Sequence, residues 1–168
     1  MLFRSDYGRA IDLLRHAASK NEPDAQYYLG TAFTNGTGVP RDNMQATLWY
    51  ELAARQHHPG AEYLMADLIG NGKVGISPSP NAAMYYLWDS AAQGYEPAQA
   101  LLGYVFHSGA WIDANPRAAA YWYRQALSQG PDPKAEAGLR MLLRSGAVDV
   151  APGDPEIDAN PVVSLKEP

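Results

Sequence analysis

Cysteine is absent from the 168 residues. Disulfides and thiolate-held metals are therefore excluded, and the redox compartment stays open. No apolar run approaches the roughly 18 residues that cross a membrane as a helix, so membrane insertion is not expected. Met1–Ser5 is followed at once by a polar, helix-like pattern rather than by the apolar core of a signal peptide. Positive charge is also scarce, with 13 Lys and Arg against 18 Asp and Glu. The excess is uneven. From Ala147 onward Asp149, Asp154, Glu156, Asp158 and Glu167 face only Lys166, a net −4 of the chain's −5. The remaining body is close to neutral. It lacks the basic face that a nucleic-acid partner requires.

What is present is apolar and aromatic: 46% hydrophobic residues, with 4 Trp and 11 Tyr. That is enough for one domain with a sizeable core. The decisive feature is repetition, which outranks other sequence signals. Gly36, Gly72, Gly109 and Gly146 recur at intervals of 36, 37 and 37 residues, each after Asn or Ser. Eleven residues before each stands an alanine: Ala25, Ala61, Ala98, Ala135. Four residues after each alanine comes Leu29, Met65, Leu102 or Leu139. A second pattern alternates with the first. Trp49-Tyr50, Leu87-Trp88 and Trp122-Tyr123 each precede by four residues Ala53-Ala54, Ala91-Ala92 and Ala126-Leu127. Leu13-Leu14 with Ala17-Ala18 makes an N-terminal copy.

Both patterns have helical spacing. The first predicts helices over 24–35, 60–71, 97–108 and 133–145, here the A type. The second predicts helices over 7–19, 43–56, 81–93 and 116–129, the B type. Asp42 with Gln45 resembles a capping box. Ser79-Pro80 and Asn115-Pro116 place capping residues before proline at the first helical position. Asn35-Gly36 and Gln93-Gly94 read as helix stops. One helix pair cannot bury its apolar stripe alone, whereas successive pairs share a core through local contacts. The aromatic stripe recurs with the repeat, so it reads as core rather than as a cofactor box.

Motifs of catalysis are weak or missing. Gly70-Asn-Gly72-Lys-Val-Gly75 spells a dinucleotide fingerprint, but that site needs a strand before it and a helix after it. Here a helical segment precedes and a proline-rich stretch follows. No phosphate-binding G-x-x-x-x-G-K-[ST], zinc-binding H-E-x-x-H or nucleophilic G-x-S-x-G occurs. His57-His58 reads as an exposed pair at a helix end, favoured by the helix dipole. Asn35-Gly-Thr37 is a glycosylation sequon, better explained as a helix stop. The expectation is no catalytic residue, no metal and no cofactor. An acid/base pair could still assemble between repeats.

With these residues laid out, the chain resembles the Sel-one-like repeat (SLR) family, relatives of the tetratricopeptide repeat. The fullest match is A-Q-Y-Y-L-G-T-A-F-T-N-G-T-G-V-P-R-D-N-M-Q-A-T-L-W-Y-E-L-A-A, residues 25–54. Ala98, Leu102-Gly103, Gly109, Ala119 and Trp122-Tyr123 repeat it. The second copy departs, with Ala66 where the Leu-Gly glycine stands and a loop of Lys-Val-Gly-Ile-Ser-Pro-Ser-Pro. The fourth copy keeps only its A segment. The resemblance covers residues 7–146. It implies an all-α fold, a right-handed α-solenoid of antiparallel helix pairs, and a non-catalytic protein-interaction role as scaffold or adaptor, typical of bacterial proteins. Alternatives are a cell-envelope or cell-wall-associated relative with hydrolase-like or ligand-binding activity, and a structural segment of a longer array.

In such a fold the A helices line the concave face. Their positions off the apolar stripe are Tyr27, Thr31, Thr34, Tyr63, Asp67, Tyr104, His107, Met141 and Arg144. They would form an aromatic and polar ladder for a protein or peptide partner, since tyrosine offers contact area at low entropy cost. No nucleic-acid partner is expected, and cytoplasmic and periplasmic locations both stay open.

The ends carry further expectations. Met-Leu-Phe-Arg-Ser, residues 1–5, is what the end of a common short-read sequencing adaptor encodes in frame. It is read as a scar on a chain truncated upstream, with residues 6–146 as the repeat domain. The family unit starts on an A helix and this chain on a B helix, which fits contact with further repeats upstream. The third reading has its own signature, an uncovered apolar face near Leu13 and Leu14. Residues 147–168 form an acidic tail with Pro152, Pro155, Pro161 and Pro168, disordered or partly capping the last helix. Ile157-Asp-Ala-Asn-Pro161 copies Ile112-Asp-Ala-Asn-Pro116, and Val162, Val163 and Leu165 could cover that helix.

Overall fold

A computed structural model describes residues 3–73 and 77–149. Among them are eight α-helices and no strand. These are α1 (Phe3–Ser19), α2 (Pro23–Asn35), α3 (Asn43–Ala54), α4 (Pro59–Gly70), α5 (Pro80–Ala92), α6 (Glu96–Ser108), α7 (Pro116–Leu127) and α8 (Pro133–Arg144). They group into two compact units, Met1–Pro78 with α1–α4 and Ser79–Pro168 with α5–α8. Every predicted A and B segment is a helix, with α1, α3, α5 and α7 of B type. The first helix starts at Phe3, so it takes in the end of the segment read as a sequencing scar. The 150–168 tail, its second Ile-Asp-Ala-Asn-Pro and Val74–Gly75 of the glycine motif lie outside the described residues.

Local chemistry sets the boundaries. Pro23, Pro59, Pro80, Pro116 and Pro133 each stand at the first position of a helix, where the missing N–H costs nothing. Asp42, Asn115 and Asp132 cap α3, α7 and α8 by accepting backbone N–H groups. The Asp42 arrangement is a one-sided capping box. Its carboxylate accepts from Met44 and Gln45, but its own N–H goes to the Phe33 carbonyl at 2.9 Å. Asn115 N–H does the same with Phe106 at 2.7 Å. Each bond ties the end of a loop back to the helix that opened it. Ser79 occupies the cap position of α5, yet its side chain makes no capping bond. The glycine column ends the A-type segments: Gly36, Gly72, Gly109 and Gly146 all have φ between 62° and 70°. An L side chain pays a steric penalty there, which explains the repeat's most regular signal.

The core follows the columns. Ala25, Ala61, Ala98 and Ala135 are at most 7% exposed, and Leu29, Met65 and Leu102 at most 5%. Tyr50, Ala53 and Ala54 are buried on α3, as are Tyr123 and Ala126 on α7. On α5 the buried residues are Ala83, Met84, Leu87, Ser90 and Ala91, while Ala92 is exposed and Trp88 half-buried. The register there is one residue earlier than the Leu87-Trp88 match implies, with Tyr86-Leu87 equivalent to Trp49-Tyr50. A single-residue shift on a helix turns the face by about 100°, so burial decides the register where sequence similarity misleads. In the first unit Val39 turns inward and joins Ile11, Ala18, Ala25, Leu29 and Ala32.

Two A–B joints, α2–α3 and α6–α7, each depend on one close approach. A Cβ at Gly30 would lie 2.6 Å from the Tyr50 ring, and one at Gly103 would lie 2.5 Å from the Tyr123 ring. The glycine of the Leu-Gly pair is therefore a steric requirement: it lets the B-helix tyrosine lie flat on the A helix.

Candidate functional site

The expected interaction residues fall on α2, α4, α6 and α8 as the A-helix assignment requires. Within residues 1–78 the structure gathers Tyr27, Thr31 and Thr34 around Tyr50. The Tyr50 hydroxyl lies 2.9 Å from Thr34 Oγ1 and donates to Thr31 Oγ1 at 3.5 Å. Both threonines also donate to carbonyls four residues earlier, Tyr27 and Gly30. Tyr27 stacks on His58, with ring centroids 4.5 Å apart and planes 21° from parallel. All five residues are half-buried or buried, so this is a packed patch with its polar atoms already paired. Tyr63 is half-buried on α4. Asp67 closes the end of that helix, accepting from Asn71 Nδ2 and Lys73 Nζ at 2.7 Å each.

Within residues 79–168 the equivalent patch lies 73 positions later. Tyr104, His107 and Tyr123 occupy the places of Thr31, Thr34 and Tyr50. His107 Nδ1 lies 3.4 Å from the Tyr123 hydroxyl, and Tyr104 is 55% exposed. Burial first, then Tyr104 and Asp132, push the Tyr123 hydroxyl up to about 12, so it remains a donor at neutral pH. Met141 and Arg144 are exposed on α8.

Sequence reasoning missed the residues at the helix junctions. His58 is not a helix-dipole cap for α3. It caps α4, where its Nδ1 accepts from Ala61 N–H at 3.1 Å and its Nε2 faces Asp24 at 3.4 Å. Burial lowers its pKa by more than Asp24 raises it, so the neutral ring with Nε2 protonated fits both contacts. His57 sits before it at φ 59°, beside the buried Glu62 carboxylate at 3.3 Å.

Two glutamine columns were also overlooked. Gln26 donates to the Ala18 carbonyl at 3.4 Å and accepts from Gln56 Nε2 at 2.8 Å. Gln99 donates to Ala91 at 3.2 Å and accepts from Gln129 Nε2 at 2.8 Å. Each pair bridges three consecutive helices. The signal was available: Gln26, Glu62 and Gln99 recur at the repeat period, as do Gln56, Gln93 and Gln129.

An acidic pair does converge in the second unit. Glu96 hydrogen-bonds Asp132, and burial and that neighbour raise its pKa. Asp132 is nonetheless committed to capping α8 through Lys134 and Ala135 N–H, at 2.7 and 3.1 Å. The pair reads as a helix junction rather than as reaction machinery.

A model of the Sel1 repeat matches residues 23–58, 59–95 and 96–131. The chain belongs to the Sel1 repeat family. Helix α1 lies ahead of the matched repeats and α8 behind them. The crystal structure of a Sel1 repeat protein from Oxalobacter formigenes is similar, with a TM-score of 0.72 and 32% identity over 83% of this chain and 40% of that one. So is that of c5321, a protective antigen present in uropathogenic Escherichia coli strains and displaying an SLR fold. Its TM-score is 0.75 at 24% identity, over 82% of this chain and 30% of that one. This second likeness bears on the fold alone. Among curated relatives, the Sel1-repeat-containing protein YjcO of Escherichia coli K12 is 30% identical over 99 residues, 55% of this chain and 43% of YjcO. The chitin synthase regulator SKT5 of Saccharomyces cerevisiae is 28% identical over 112 residues, 62% of this chain and 16% of SKT5. The chain spans less than half the length of each of these proteins. The fold is therefore an all-α solenoid of helix pairs, and Sel1 repeats generally mediate protein–protein interactions.

Proposed function

We propose that this Sel1 repeat chain is a non-catalytic scaffold or adaptor that binds a peptide or protein segment on its A-helix faces. The observation that supports this most is the recurring patch. Tyr27, Thr31, Thr34, Tyr50 and His58 in the first unit have a counterpart in Tyr104, His107 and Tyr123 in the second. Each hydroxyl that donates within the patch still carries acceptor lone pairs, which suit the N–H groups of an extended peptide backbone. Their internal bonds fix the side chains in advance, which reduces the ordering cost of binding.

Affinity capture with the product of the complete locus, followed by substitution, tests the reading. Tyr27→Ala, Tyr63→Ala and Tyr104→Ala combined should lose the captured protein. Tyr27 also stacks on His58, so Tyr104→Ala with Arg144→Ala provides a version that leaves the core untouched. Capture retained by both variants, with an unchanged circular dichroism spectrum, would sink the A-helix assignment.

A further inference from the structure

A groove of about 600 Å³ opens between α1 and α2. Ala10, Leu13, Leu14, Ala17, Tyr28 and Ala32 contribute its apolar lining. The repeat shows that these surfaces are ones this fold normally covers. Leu14 is equivalent to Tyr50, Leu87 and Tyr123, which are 5%, 0% and 3% exposed; Leu14 is only half-buried. Ala17 is half-buried where Ala53, Ser90 and Ala126 are at 0%. Leu13 is 69% exposed, whereas its counterparts Trp49 and Tyr86 are half-buried and Trp122 is 6% exposed.

The second unit shows what covers such a face. There α7 and α8 stand in the places of α1 and α2, and α6 lies against both. Tyr123 is held between Gly103 of α6 and Gly138 of α8, each close enough that a Cβ would meet its ring within 2.5 Å. In the first unit α2 likewise covers α3 through Gly30 and Tyr50. The exposed groove thus has the shape and chemistry of an A-helix seat. One detail differs. Leu14 is shorter than tyrosine, so the position facing it has room for a Cβ.

We propose that this groove seats the first helix of a further repeat of the same type. The occupant is an amphipathic α-helix with the Ala-x-x-x-Leu-small pattern of α2 and α6, carrying alanine rather than glycine opposite Leu14. This does not depend on what binds the A-helix faces.

The test joins a copy of residues 96–115, with Gly103→Ala in the copy, directly to Tyr7. This reproduces the register in which Asn115 precedes Pro116. The graft should slow amide hydrogen exchange in α1 at least tenfold and raise the thermal midpoint by about 5 °C. Leu102→Asp in the copy, or Leu14→Asp in the groove, should abolish both gains and leave protection of α5–α8 unchanged. A graft that leaves α1 exchange unaltered would overturn the proposal. So would full-length chain that sediments as a dimer at micromolar concentration and returns to monomer with Leu13→Asp, because the groove would then belong to a second copy.

Discussion

Each unit sets an ionisable pair at the starts of its two A helices, and the two pairs have opposite chemistry. In residues 1–78, Asp24 at the start of α2 meets His58, the cap of α4. In residues 79–168, Glu96 at the start of α6 meets Asp132, the cap of α8. His58 is kept neutral by burial and offers a ring nitrogen to the helix N-terminus. Asp132 offers a carboxylate. Desolvation opposes its charge, but Ala135 N–H, the Glu96 proton and Lys134 together hold its pKa below the usual range. The pKa of Glu96 is raised because burial and the neighbouring carboxylate disfavour a second charge. At α4 and α8 the cap position takes an imidazole or a carboxylate as acceptor, whereas Glu22 and Tyr95 at the same position of α2 and α6 make no side-chain capping bond. The geometry belongs to the repeat, while the electrostatics belong to the individual unit.

The largest test of this comparison is steric. Gly103→Ala should cost about 2 kcal/mol by overpacking against Tyr123, despite a helix-propensity gain of about 1 kcal/mol. Gly30→Ala should cost less, because Tyr50 meets one such glycine and Tyr123 meets two. Adding Tyr123→Leu should recover part of the loss in urea denaturation. Full additivity would show that the ring contact is not the cause.

Next come the glutamine bridges. Gln26→Leu and Gln99→Leu each remove one hydrogen bond to the Ala18 or Ala91 carbonyl and one from Gln56 or Gln129, at about 1–2 kcal/mol apiece because those groups keep their other partners. Near-equal losses in the two units would support a shared framework, and a wide gap would break it. Smaller still is the polar end of the tyrosines. Tyr50→Phe should cost about 1 kcal/mol. Tyr123→Phe should cost less, because its partner His107 is 3.4 Å away whereas Thr34 is 2.9 Å from Tyr50.

The finest test is pH. The folded pKa of His58 is lowered, so its contribution is present above the ordinary histidine value and is lost as pH falls through the folded one. The folded pKa of Glu96 is raised, so its contribution is present in acid and is lost as pH rises through that value. Hydrogen exchange resolved by residue should show α4 loosening from pH 7 toward 5. His58→Asn should flatten that trend, because it removes the titration and keeps an acceptor at the cap. Glu96→Gln should flatten the opposite trend at α6 and α8.

Much of this was legible in the chain. Helices and their ends are local matters: proline at the first turn, Asp or Asn before it, and glycine where φ is positive. The repeat multiplied each weak signal, so all eight helices could be placed within a few residues. The register of α5 was not legible, because Trp88 beside Leu87 imitates the Trp-Tyr pair one residue out of phase. The tyrosine–threonine patch was partly legible. Spacing put Thr31 and Thr34 on one side of α2, but Tyr50, 16 residues beyond Thr34, had been read only as core. His58 was misjudged because sequence places it at the end of one helix, while its ring serves the start of the next.

The sequence by itself determined the period, the helix pairs and the glycine joints, since backbone conformation and apolar spacing act over a few residues. Only the tertiary structure decided which polar atoms meet, because those partners come from different helices. It also decided that Leu13 stands open and Leu14 is only half-covered. Their pattern is that of every other B helix, and burial depends on what lies against a helix as much as on what the helix carries.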